Sequence, residues 1–235
     1  MSEASSLNLI ITIDGPAGTG KSTVAHQLAR RLGLEFLDTG AMYRAAALIA
    51  IEQRIDPADG KALAGAVDAA HMAFDWTKSP PALMIGDRDI SQRIREMDVS
   101  QIVSIVAAQP EVRQVLVKHQ RRIAEQHPRL VTEGRDQGSV VFPDAPIRFY
   151  IDAHPEVRAQ RREAQLARAG KAVDRERVWR DITERDRLDA QRTEGPLVRP
   201  AGAIEIDTTD RSAAQVVDEM EAIVRRRLSE AGIAL

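Results

Sequence analysis

The chain has 235 residues, with 33 basic and 35 acidic side chains, a formal charge of -2, 43% apolar and 3% aromatic residues, and no cysteine. The balanced charge gives no support to a polyanion bound along a basic face, and the missing cysteines exclude disulfides, thiolate metal sites and a cysteine nucleophile. With so few aromatics the core must come from Leu, Ile, Val and Ala, as in a parallel sheet wrapped by helices.

Taken in order, a short polar tail precedes residues 8–13, an apolar run that reads as a buried strand. Asp14 and a glycine-rich turn follow, then an amphipathic helix over 21–32 that Gly33 ends. Residues 34–37 read as a second strand and 41–53 as a second helix. The rhythm breaks over 55–95, where a helix-like 61–70 is followed by two apolar runs, 71–76 and 82–85, joined through Thr77-Lys78-Ser79-Pro80-Pro81. These runs form a hairpin in a small inserted α+β subdomain. Helical periodicity resumes over 98–108 and 110–126, with Pro110 suited to a first helical position. Short strands at 130–132, 147–151 and 203–206 alternate with helices at about 155–170, 175–191 and 212–230. The implied fold is an α/β core, a parallel five-stranded sheet flanked by helices, made of residues 1–54 and 96–235. No basic leader precedes the first strand and no apolar run is long enough to cross a bilayer, so the expectation is a cytoplasmic protein without a membrane partner.

Gly15-Pro16-Ala17-Gly18-Thr19-Gly20-Lys21-Ser22 matches G-x-x-x-x-G-K-[ST] in full, between a strand and a helix. Glycines allow several backbone N–H groups to turn inward around a phosphate, and the helix that follows adds its unpaired N–H groups. Lys21 is positioned to reach β and γ oxygens, and Ser22 offers a hydroxyl to Mg2+. Such a loop does not distinguish kinases from GTPases or motor ATPases. The only asparagine is Asn8, upstream of the loop, and no Asp-x-x-Gly occurs, which argues against a guanine-reading switch protein. Arginines crowd residues 158–199, a pattern that fits either a local anion site or a solvated helix face.

The chain resembles the bacterial cytidylate kinases over nearly its whole length. The likeness lies in Ile13 through Thr23, in Leu37-Asp38-Thr39-Gly40-Ala41-Met42-Tyr43-Arg44, and in Glu133-Gly134-Arg135-Asp136 followed by Val140-Val141-Phe142-Pro143-Asp144-Ala145. It continues in Glu184-Arg185-Asp186-Arg187-Leu188-Asp189 and Pro196-Leu197-Val198. The resemblance implies transfer of the γ-phosphate of ATP, with Mg2+, to CMP or dCMP. It implies that Gly15, Pro16, Ala17, Gly18, Thr19, Gly20, Lys21, Ser22 and Thr23 hold ATP, and that Arg44, Arg135 and Arg185 surround the acceptor phosphate, with Lys21, Arg135 and Arg185 acting in the transfer. Ser104, Arg113 and Asp136 fall around the base, with Thr39 where the family often has serine, and Asp189 and Arg192 near the sugar and base. The base trio makes chemical sense: a carboxylate accepts from cytosine N4, a guanidinium donates to N3 and O2, and uracil mismatches both.

The resemblance also marks about 155–172 as a short lid, with Arg158, Arg161 and Arg162 as candidates to close over ATP, and 55–95 as the family's extra subdomain. Asp14 is left between two roles, holding a metal-bound water or supporting loop backbone. The absence of a long heptad pattern favours a monomer. Two rival readings remain at this point: a kinase for another small acceptor (UMP, AMP or a non-nucleotide metabolite), and a regulatory nucleotide-binding protein without turnover.

Overall fold

A computed structural model describes residues 8–168, 170, 173–233 and 235. Residues 1–7 and 234 of the expected core and 169, 171 and 172 of the expected lid lie outside the described residues.

The chain runs β1 (Leu9–Asp14), α1 (Lys21–Leu32), β2 (Glu35–Asp38), α2 (Thr39–Gln53), α3 (Gly60–Ala69), β3 (Met72–Asp75), β4 (Ala82–Ile85), β5 (Arg88–Asp89), α4 (Met97–Ala107), α5 (Pro110–Gln126), β6 (Arg129–Gly134), β7 (Ile147–Asp152), α6 (Pro155–Arg168), α7 (Arg175–Ala190), β8 (Ile204–Asp207) and α8 (Ala213–Glu230). Five strands form one parallel sheet in the order β2-β6-β1-β7-β8, with Ile11 opposite Val131 and Ile13 opposite Phe149. Alternation along β1 sets the layers. Leu9, Ile11 and Ile13 pack with Val24 and Leu28 of α1 and Val217 and Val224 of α8, whereas Ile10 packs against the cluster built from α2, α4 and α5.

Local signals account for the element ends. Gly33, at φ 65°, closes α1 with Leu34 N–H donating to Ala29 O at 2.9 Å. Asp38 accepts from Ala41 N–H, so α2 opens at Thr39, two residues before the sequence-based start. Ser212 and Gln215 cap the start of α8 reciprocally.

The 55–95 segment contains the expected helix and hairpin. It adds β5, which extends the small antiparallel sheet to three strands, and a single 3-10 turn over Arg93–Arg95. The segment does not own a separate core. Leu63, Val67, Leu83 and Ile90 lie in one apolar cluster with Ile49, Val103 and Leu116 of α2, α4 and α5. A π-helical turn over Gln137–Val141, unsignalled by periodicity, follows β6. Asp14 holds it, accepting from Gln137 N–H at 2.8 Å and Gly138 N–H at 2.7 Å.

Candidate active site

The turn between β1 and α1 leaves the sheet at the carboxyl ends of its strands, where open α/β sheets place their ligands. Gly15 has φ 148°, and a Cβ there would run into the carbonyl of Ile151 in β7. Only glycine lets the loop lie this close to the sheet. Lys21 is buried, and its Nζ donates to Pro16 O at 2.6 Å and Thr19 Oγ1 at 3.4 Å. Ser22 Oγ donates to Glu133 Oε1 at 2.7 Å, tying the start of α1 to the end of β6.

A cleft of about 1060 Å³ opens beside this loop. Residues 17–24 form one wall, and Arg44, Ser104, Arg135, Arg162 and Arg185 reach it from α2, α4, the turn after β6, α6 and α7 respectively. Arg44 is held by Ser100 Oγ at 2.9 Å. Arg135 donates through Nε to Asp189 Oδ2 at 2.9 Å. Arg185 is half-buried, and its Nε has no hydrogen-bond partner.

These cations crowd one another. Burial, then Arg135, push the Lys21 ammonium well below its ordinary value. Burial, then Arg185 and Arg162, bring the Arg44 guanidinium down to about 9, and burial, then Arg135 and Arg162, bring Arg185 to about 9. Positive charges drawn together at such cost are complementary to a polyanion in the same cleft, since an anion between them reverses the sign of the interaction. Glu133 has the opposite shift: burial and Asp38 raise its carboxyl to about 7.

The donor chemistry around Ser22 is oxygen only, a hydroxyl facing the Glu133 carboxylate, which suits a hard cation. Among the described residues no group of three or more His, Cys, Asp or Glu is placed to hold a metal by itself. Phosphate oxygens and water would have to complete its coordination.

The other residues singled out in the sequence divide into two groups. Arg113 and Asp136 form an ion pair, each 2% exposed, with the guanidinium 5.6 Å above the Tyr43 ring, and neither lines the cleft. Asp189 is buried and joins Arg135 to Arg192. Asp136 pairs with Arg113 rather than with Arg135. Thr39 Oγ1 is buried and donates to Glu133 O at 2.7 Å.

Of the three lid arginines, Arg162 lines the cleft and bonds Gln165 Oε1 at 2.7 Å. Arg161 lines it as well and donates to Thr208 Oγ1 at 2.9 Å. Arg158 is buried beneath the loop, bonded to Ala153 O, Ala17 O and the Asp186 carboxylate, and does not line the cleft. Asp14 supports backbone, but that of the π-helical turn. Asp38, Ser100, Glu133 and Thr208 were given no role from sequence. Two signals pointed to three of them: Asp38 and Glu133 stand at the carboxyl ends of parallel strands, and Ser100 lies one helical turn before Ser104.

Comparison with known proteins identifies the family. The cytidylate kinase family model matches residues 11–226. This chain belongs to the cytidylate kinase family. Cytidylate kinase from Mycolicibacterium paratuberculosis (strain ATCC BAA-968 / K-10) is 43% identical over 222 residues, covering 94% of this chain and 97% of that protein. Cytidylate kinase from Corynebacterium efficiens is 45% identical over 212 residues, covering 90% and 92%. Among solved structures, an uncharacterized protein from Eubacterium ventriosum ATCC 27560 aligns with a TM-score of 0.50 at 14% identity, covering 93% of this chain and 99% of that one. That last likeness concerns the fold alone.

Proposed function

We propose that the chain transfers the γ-phosphate of ATP to CMP or dCMP, producing ADP and the cytidine diphosphate. The observation that carries this reading is the convergence of Lys21, Arg44, Arg135 and Arg185 on one cleft next to a full phosphate-binding loop, with Asp136 of the buried Arg113–Asp136 pair one residue after Arg135. In this reading residues 15–23 hold the triphosphate and Lys21 faces its terminal phosphates. Arg44 and Arg135 hold the acceptor phosphate, and Arg185 sits between donor and acceptor. Transfer between two anions needs little proton chemistry; it needs alignment and neutralisation of charge, which a set of fixed guanidinium groups supplies.

Ser104, Arg113 and Asp136 read the base, with Thr39 setting the wall behind it through Glu133, and Asp189 and Arg192 complete the sugar side. Mg2+, when bound, neutralises donor phosphate charge; Ser22 would hold it, with Glu133 accepting from the hydroxyl or from metal-bound water. Arg162 closes over the donor from α6, and Arg158 fixes the loop from below. Residues 55–95 form the acceptor-side insert and about 155–172 the lid. The chain acts in this reading as a cytoplasmic monomer on small nucleotides, and its near-neutral charge supports the exclusion of nucleic acid as a partner. No helix among the described residues is long and apolar enough to cross a membrane.

A coupled assay with ATP and Mg2+ against CMP, dCMP, UMP, AMP and GMP in parallel tests the proposal. Preference for the two cytidine nucleotides is expected. Preference for another acceptor would keep the phosphate chemistry and discard the base assignment.

A further inference from the structure

We propose that Gly195, in the loop that follows α7, is a specificity-determining positioning residue: having no side chain, it seats that loop against the Arg113–Asp136 pair and fixes the pair's separation. The inference rests on the reading of that pair as the base-reading element. Gly195 is buried, with φ 59°, and a Cβ built on it would overlap both Arg113 Nη2 and Asp136 Oδ2. Loop 191–200 is fixed at both sides of this contact. Arg192 pairs with the Asp189 carboxylate, and Leu197 N–H donates to Asp189 O at 2.8 Å. The loop cannot lift away from the pair without breaking bonds to the residue that also holds Arg135.

The pair itself has little other restraint. Arg113 Nη1 makes only a long 3.4 Å contact with Ala107 O, and the guanidinium lies over Tyr43. Arg113 and Gly195 both border a second cavity of about 570 Å³, which Lys118 and Glu194 also line. A side chain at 195 therefore has somewhere to push Arg113. The expected consequence is a folded protein whose guanidinium has swung away from Asp136. A matched donor and acceptor edge reads cytosine only while both groups keep their spacing, so base selectivity suffers before anything else.

Gly202 supplies the control. It has φ 70°, so Gly202→Ala carries the same kind of backbone strain, yet the nearest atom to its Cβ is Arg148 Nη2 at 3.5 Å, ordinary contact. Steady-state kinetics on both variants separate strain from collision. Gly195→Ala should raise the CMP KM roughly tenfold and lower the CMP-over-UMP preference by a similar factor, with the ATP KM within about twofold of wild type. Gly202→Ala should leave all three near wild type. Equal behaviour of the two variants overturns the proposal. A wild-type enzyme without cytidine preference would instead bring down the base-reading assignment, and this proposal with it.

Hydrogen exchange on the wild-type protein gives a readout that needs no variant. Saturating CMP should slow exchange of the Leu197 amide, and ATP alone should not. An amide indifferent to CMP contradicts a loop that works through the base-reading pair, even if Gly195→Ala fails to fold.

Discussion

Replacing Arg185 by methionine should make the free protein more stable and the enzyme much worse. The side chain is half-buried among cations, its Nε is unpartnered, and burial with Arg135 and Arg162 brings its guanidinium down to about 9. Because the folded-state value lies below the unfolded one, the charge opposes folding in full below about pH 9, and the penalty fades as pH rises toward the ordinary guanidinium value. At neutral pH that difference sets a ceiling of about 5 kcal/mol. Solvent reaching the cleft reduces it to about 2 kcal/mol. Methionine keeps most of the aliphatic stem, so little packing is lost. For a chain of this size, about 2 kcal/mol raises Tm by roughly 5 °C. A positioned charge opposite a transferring phosphoryl group is worth about two to three powers of ten in kcat. Thermal melting without nucleotide and steady-state turnover on the same preparation read both numbers. A variant that melts below wild type while retaining kcat within about threefold would refute the view that these cations are held at the expense of stability to meet an anion.

Asp136→Ala should reduce the CMP-over-UMP preference at least roughly tenfold in the coupled assay while the ATP KM stays within about twofold, because it removes the acceptor for N4 and leaves Arg113 buried without its partner. Burial and Asp38 raise Glu133 from 4.5 to about 7, so the folded state binds this proton more tightly than the unfolded chain, and stability falls as pH climbs through that window. Denaturant melts of Glu133→Gln should show that fall reduced by about 2 kcal/mol, with the remainder belonging to Asp14, which burial raises from 3.8 to about 6. Arg158→Ala should lower stability by about 3 kcal/mol, since it abandons the Asp186 carboxylate and two carbonyls beneath the loop. Chemical denaturation checks this, and a stable variant whose only defect is a raised ATP KM would return Arg158 to the donor phosphates.

The sheet, its flanking helices and the phosphate-binding loop were legible because each rests on a local rule. Apolar runs mark β1 and β7, Gly33 and Ser212 mark helix ends, and the G-x-x-x-x-G-K-[ST] spacing requires the strand and helix on either side. What escaped depends on contacts distant in sequence. The π-helical turn after β6 exists because Asp14, more than a hundred residues earlier, accepts two of its N–H groups. β5 is two exposed residues, Arg88 and Asp89, with no periodicity to announce them. The arginines show the same division. Their number could be counted from sequence, but Arg158, Arg161 and Arg162 look alike on one helix, and only the fold decides that the first lies under the loop and the other two line the cleft. Gly195 carried no motif at all; its significance comes from two side chains, at 113 and 136, that meet beside it.

Following the phosphorus directly tests the central claim, transfer of the γ-phosphate to a nucleotide rather than to water. With ATP, Mg2+ and CMP in a phosphorus NMR tube, the account predicts that the ATP γ resonance disappears as the β resonance of CDP grows in equal amount, with orthophosphate a minor product. Growth of orthophosphate without CDP would make the chain a hydrolase, and an unchanged ATP spectrum would contradict catalysis by this cleft.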